Sequence, residues 1–98
     1  MHDAAMRIEC HIADSGSLKD KRKDVRPFIE GLRRLASLSV SEVAHHDSWQ
    51  RTAVGVAIVA PDAVALEQLI ERVRRYVDEQ LELGVLDVKV AHVETPDG

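Results

Sequence analysis

The residues best able to bind a charged partner or do chemistry lie in two short stretches. The first runs from Lys19 to Arg34. It holds seven basic residues, Lys19, Lys21, Arg22, Lys23, Arg26, Arg33 and Arg34, against three acidic ones, Asp20, Asp24 and Glu30. Its local charge is +4 on a chain of net charge −4, which leaves −8 for the remainder. Five of these cations, Lys19, Lys21, Arg22, Lys23 and Arg26, crowd the start of an expected helix. Free N–H groups and the helix dipole favour an anion there, whereas lysine at a helix N-terminus opposes helix stability. A phosphate backbone is the matching ligand. The bland reading of the same run is a solvated helix face whose charge Asp20 and Asp24 partly offset.

The second stretch is His45-His46-Asp47-Ser48-Trp49-Gln50-Arg51. It gathers imidazole, carboxylate, indole and guanidinium within a few residues, enough to stack a base or contact a protein. The bland reading is structural, with Trp49 capping the core edge while His46 and Asp47 hold the turn. Arg51 suits either role. Base readout on a sheet needs aromatic residues on its strands. The only aromatics are Phe28, Trp49 and Tyr76, so any RNA contact is expected to be electrostatic or shape-based.

Other chemistries find less support. His11, His45, His46, Asp47 and His92 are of metal-ligating type. No HExxH-like motif joins them, and strand alternation puts His45 and His46 on opposite faces. No metal and no cofactor is expected. Cys10 falls on an expected buried face, where a thiol is inert, and no nucleophile elbow or Gly-rich phosphate loop occurs. The chain therefore reads as a binding protein, not an enzyme.

These residues must be positioned by a small framework. Alternation of Met6, Ile8, Cys10 and Ile12 with polar residues predicts a strand over Met6 to Asp14. Ser17 can cap the next helix, whose apolar stripe is Val25, Phe28, Ile29, Leu32, Leu35 and Ala36. Pro27 interrupts that pattern. The helix either begins near Leu18 and bends, or begins near Asp24 with Pro27 in its first turn. Val40 to His46 and Thr52 to Ala60 are the next strands, joined by a connection of hairpin length. The second of these is apolar on both faces and is expected at the centre of its sheet.

Asp62 caps a second helix with Leu66, Leu69, Ile70, Val73, Tyr76 and Val77 on its buried stripe. Gly84 is read as the breaker near its end. Val85 to Val93 forms the last strand, with Leu86, Val88 and Val90 on one face, and Thr95 to Gly98 is a frayed tail. The β-α-β-β-α-β order predicts a single α+β domain over residues 1–98, with an ordered core of about 6–93. It is a ferredoxin-like sandwich in which two helices cover one face of an antiparallel sheet. If Val54, Val56 and Ile58 face the helices, the open face carries Ala53, Gly55, Ala57 and Val59. A second subunit is the expected cover for that row, giving a homo-oligomer.

Composition agrees with this frame. At 98 residues and 45% hydrophobic content, one domain can bury a core unaided. One cysteine allows no internal disulfide, and no apolar run is long enough to span a bilayer. Met1 to Met6 lacks the layout of a signal peptide. A cytoplasmic setting with no membrane partner is expected.

Three segments carry a resemblance: Ser17-Leu18-Lys19-Asp20-Lys21-Arg22, Val40-Ser41-Glu42-Val43, and His46-Asp47-Ser48-Trp49-Gln50-Arg51. Together they resemble the YlxP-like family of small bacterial proteins of unknown function, over about Met6 to Val93. Ser48 departs from the pattern, standing where a larger apolar residue is expected. The resemblance implies a ferredoxin-like fold. It also implies a link to translation, because such genes often lie among those for transcription elongation, translation initiation and ribosome maturation. It carries over no catalytic residues.

The resulting expectation is a non-enzymatic factor that contacts ribosomal RNA or a ribosome-bound protein. Lys19, Lys21, Arg22, Lys23 and Arg26 make the contact, with Trp49 and Arg51 as secondary candidates. The alternative is a homo-oligomeric regulatory domain that binds a small ligand or peptide between subunits.

Overall fold

The computed structural model describes residues 1–80 and 83–96. The elements are β1 (His2–His11), α1 (Leu18–Leu35), β2 (Ser39–Ala44), β3 (Arg51–Ala60), α2 (Ala63–Asp78) and β4 (Gly84–Glu94). The four strands form one antiparallel sheet in the order β2-β3-β1-β4. This is the ferredoxin-like arrangement that the β-α-β-β-α-β order predicts. β3 lies inside the sheet, as its two apolar faces require. No helix among the described residues is long and apolar enough to cross a membrane.

Both helices pack on one side. Met6, Ile8 and Cys10 of β1 and Val54, Val56 and Ile58 of β3 point to that side. They meet Val25, Phe28 and Leu32 of α1 and Leu66, Val73 and Val77 of α2, all buried. Alternation then places Arg7, Glu9 and His11 on the open face. Gly31 lets the helices approach closely, since a Cβ there would lie 2.0 Å from the Tyr76 hydroxyl. That hydroxyl donates to the Phe28 carbonyl at 3.0 Å, and the Phe28 and Tyr76 rings stack with centroids 5.7 Å apart.

Several boundaries differ from those read in the sequence. β1 starts at His2, because His2 to Ala5 pair with Ala57 to Ala60. Alanine's weak strand preference hides those first residues. α1 starts at Leu18, capped by the Ser17 hydroxyl, which accepts from the Asp20 N–H at 3.1 Å. Pro27 is carried inside the helix on its exposed side, where water can satisfy the carbonyl that the missing N–H leaves free. β2 stops at Ala44, one residue before His45, whose φ of 64° leaves the extended region.

α2 ends at Asp78, capped at Glu79, so Gly84 opens β4 and does not end the helix. A Cβ at Gly84 would lie 3.0 Å from the His11 carbonyl, which explains the glycine by close strand approach. Leu86 does not join Val88 and Val90. A bulge between the Glu9 and Cys10 pairings leaves it without a register partner, and it is 56% exposed. In the tail, Thr95 and Pro96 are exposed and outside any strand, while Asp97 and Gly98 lie outside the described residues.

Candidate functional site: the α1–hairpin end

The β1–α1 loop, the first turns of α1 and the β2–β3 hairpin meet at one end of the sheet. The Gln50 carbonyl accepts from the Ile12 N–H at 2.9 Å, which ties the hairpin to the end of β1. Within the hairpin, the Ser48 N–H donates to the His45 carbonyl at 3.0 Å. The Ser48 hydroxyl in turn accepts from the Arg51 and Gln50 N–H groups at 3.1 and 3.3 Å. Ser48 therefore holds the turn. A hydroxyl here does by hydrogen bonding what an apolar residue would do by packing.

Lys21 is the main correction to the sequence reading. It belongs to the buried stripe of α1 with Val25, Phe28 and Leu32, and is only 3% exposed. Its Nζ donates to the His45 carbonyl at 2.7 Å and pairs with Glu42 Oε2 at 2.9 Å. The Thr52 hydroxyl donates to the same carboxylate oxygen. Burial works against the charged form of Glu42, yet the hydrogen bonds from Thr52 and Lys21 and the lysine's charge outweigh it. The carboxyl is held below its usual range. Lys21 is thus an internal strut joining α1, β2 and the hairpin, not a surface cation.

The other four cations do face water. Lys19, Arg22, Lys23 and Arg26 are exposed. Their spacing of three, four and seven residues sets them along one ridge, spanning about 10 Å of helix. No carboxylate among the described residues pairs with any of them. The helix N-terminus is less open than expected, because Ser17 takes the Asp20 N–H and Asp20 turns back to accept from the Gly16 N–H at 3.3 Å.

Trp49 is 54% exposed, so it does not cap the core edge. Arg51 is engaged on the open sheet face. Its guanidinium lies 3.4 Å from Glu9 Oε2, His45 Nε2 lies 3.2 Å from the same oxygen, and Arg7 Nε lies 2.8 Å from Glu9 Oε1. The hydrogen bond from Arg7 is the main reason that the Glu9 carboxyl sits below its usual range. His45 therefore spans the sheet, with its carbonyl bound to Lys21 on the helix side and its ring bound to Glu9 on the open side. His46 turns the other way and meets the Glu42 carbonyl at 3.1 Å.

The small-residue row on β3 is also only partly open. Ala53 is fully buried beside Glu9, below that cluster of long polar side chains. Val43 covers Gly55, and a Cβ at Gly55 would lie 2.8 Å from Val43 Cγ1. Only Ala57 and Val59 of the row are exposed. Ala53 is thus removed from the expected interface because side chains of its own sheet bury it.

The metal-type residues His11, His45, His46, Asp47 and His92 are not brought together as a set. At the opposite end of the sheet, His92 Nε2 lies 3.2 Å from Asp3 Oδ1 and 3.9 Å from Glu94 Oε2, a polar cluster in which His92 and Glu94 are exposed and Asp3 is half-buried. Cys10 is fully buried, and burial, with the Glu9 charge adding to it, pushes its thiol up to about 11.

A cleft of about 320 Å³ opens between α1 and the hairpin. Leu18, Lys21, Arg22 and Val25 form one wall, and Glu42, His46 and Asp47 form the other. All three segments that carried the sequence resemblance contribute side chains to it. Sequence reading missed the cleft because its two walls are distant in the chain. The only sign was that Lys21 shares the helical phase of Val25, Phe28 and Leu32.

Fold and site together define a small ferredoxin-like domain with a cationic helix ridge beside a polar cleft. Residues 4–90 match the family described as "Protein of unknown function (DUF503)", and the chain belongs to that family. It is similar to the uncharacterized protein YlxP of Bacillus subtilis (strain 168), with 37% identity over 70 residues, covering 71% of this chain and 76% of that relative.

Proposed function

We propose that this protein is a non-enzymatic, cytoplasmic factor that contacts RNA of the translation apparatus through the exposed face of α1. The observation that carries the reading is the ridge of Lys19, Arg22, Lys23 and Arg26, exposed and without carboxylate partners among the described residues, on a chain of net charge −4. Lys19, in the first turn, opposes the helix dipole, and the four like charges repel one another while contributing nothing to the core. A phosphate backbone offsets that repulsion, and counterion release then drives binding. The translation setting rests on the gene neighbourhoods implied by the family resemblance. Trp49, exposed in the adjoining hairpin, is the secondary contact, whereas Arg51 is engaged by Glu9 on the opposite face of the sheet.

The test is co-sedimentation with ribosomal particles at moderate salt. Lys23→Glu/Arg26→Glu should abolish it, and RNase treatment should release the wild-type protein. Unchanged co-sedimentation of the variant, or none by the wild type, overturns the reading. Reversing Lys21 is not a usable test, because it breaks an internal ion pair.

One observation favours a second reading, a homo-oligomer that binds a small ligand or peptide between subunits. Val43, Ala57 and Val59 are exposed on the open face around the half-buried Gly55, an apolar strip at its β2 side. Light scattering decides it, since a monomer at high protein concentration removes this reading.

A further inference from the structure

We infer that the cleft between α1 and the hairpin receives one unstacked nucleobase of the RNA strand whose phosphates lie along the α1 ridge. The inference rests on the RNA-contacting reading above and adds a base-reading subsite to it.

The first argument is charge balance. Lys21 is neutralised by Glu42, and Arg22 is matched in number by Asp47, so the cleft holds no surplus charge for a phosphate or a carboxylate. Its groups instead suit a neutral molecule with both donors and acceptors. Lys21 is nearly fully buried and lines the cleft, yet His45 and Glu42 use only two of its three N–H donors. Glu42 Oε2 takes both of that residue's side-chain bonds, which leaves Oε1 as an acceptor. Asp47 adds a second carboxylate and Arg22 a planar donor fork.

The second argument is shape and surroundings. Leu18 and Val25 give the cleft apolar surface, and its volume of about 320 Å³ lies at the small end of ligand sites. A flat ring with a hydrogen-bonding edge meets both conditions, and base recognition in RNA depends on such splayed-out rings. Arginine guanidinium planes also stack on bases. The third argument is continuity. Arg22 belongs to the exposed ridge and to the cleft wall alike, so a strand held along the ridge passes the cleft mouth.

The experiment is fluorescence anisotropy with labelled oligo(A), oligo(C) and oligo(U) and with a duplex RNA. The proteins are the wild type, His46→Ala, Asp47→Asn and the ridge variant Lys23→Glu/Arg26→Glu. His46 and Asp47 are exposed, so both substitutions leave the core untouched. The wild type should bind single strands better than duplex and discriminate among the homopolymers by about fivefold to tenfold, the worth of one or two net hydrogen bonds. Asp47→Asn should change the order of preference with the salt slope unchanged. The ridge variant should weaken all strands alike and reduce the slope. Equal binding of all homopolymers and duplex, or cleft variants with wild-type preferences, overturns the base subsite and leaves the ridge reading standing. Loss of no affinity in the ridge variant overturns the ridge reading instead.

Discussion

Lys21 of α1 and Glu42 of β2 form an ion pair of 2.9 Å in which the lysine is almost wholly buried and the carboxylate largely so. The pair locks the first turns of α1 onto the hairpin, because the same ammonium also holds the His45 carbonyl. Buried pairs of this kind add little over an apolar replacement, but removing one partner strands the other charge. Lys21→Met and Glu42→Gln should therefore each cost about 3–5 kcal/mol, and the double variant should return to within about 2 kcal/mol of wild type. Urea unfolding of the four proteins measures the cycle. Additive single costs would show that the two residues act independently.

The same carboxylate sets an acid limit. Glu42 and Glu9 both have their pKa lowered below 4.5 in the folded protein. Between the folded value and 4.5 the unfolded chain binds more protons, so stability rises with pH in that window. The contribution is complete above 4.5 and is lost as pH falls through the folded values. Urea midpoints taken as the pH is lowered should fall more steeply for the wild type than for Lys21→Met/Glu42→Gln. Glu9→Gln should flatten the curve less, since the Arg7 and Arg51 side chains beside Glu9 are each 43% exposed and water screens them. Parallel curves for all three proteins would contradict the assignment.

Much of this architecture was legible in the sequence, and the parts that were not have physical reasons. Period-two alternation in β1 and the stripes of both helices gave the element order, and two apolar faces marked β3 as interior. Lys21 was misread because a lysine in a basic run looks solvated. Its phase with Val25, Phe28 and Leu32 was the available signal, and composition masked it. Ala53 looked open because alternation reports which face a residue takes, not what lies over it. The Glu9, Arg7, His45 and Arg51 cluster that lies over it joins two strands and a turn. The cleft is illegible for the same reason, since chain proximity predicts neither wall from the other.

Gly31 tests the packing of the two helices. Alanine there gains about 1 kcal/mol of helix propensity. The new Cβ, however, would meet Tyr76 at 2.0 Å from the hydroxyl and 2.7 Å from Cζ. Overpacking of this kind costs about 1–3 kcal/mol, and displacing the ring also breaks its bond to the Phe28 carbonyl. Gly31→Ala should lower the melting temperature, and Gly31→Ala/Tyr76→Phe should stay low because the ring itself still clashes. Gly31→Ala/Tyr76→Leu should recover part of the loss. A more stable Gly31→Ala protein would mean that α2 can shift to make room.

Trp49 offers the cheapest check on the hairpin end, because it is the only tryptophan in the chain. It is 54% exposed, and the turn around it is held by Ser48. Trp49→Ala should therefore change stability by no more than about 0.5 kcal/mol, the usual size of a surface substitution. Ser48→Ala removes the acceptor for two backbone N–H groups and should cost about 1 kcal/mol. The indole emission of the native protein should already sit at the red, water-exposed position and shift little on unfolding. If RNA binds across the ridge and this hairpin, adding it should quench or blue-shift that emission in the wild type and not in Lys23→Glu/Arg26→Glu. A blue native emission that moves strongly red on unfolding would place Trp49 against apolar surface and return it to the structural role first read for it.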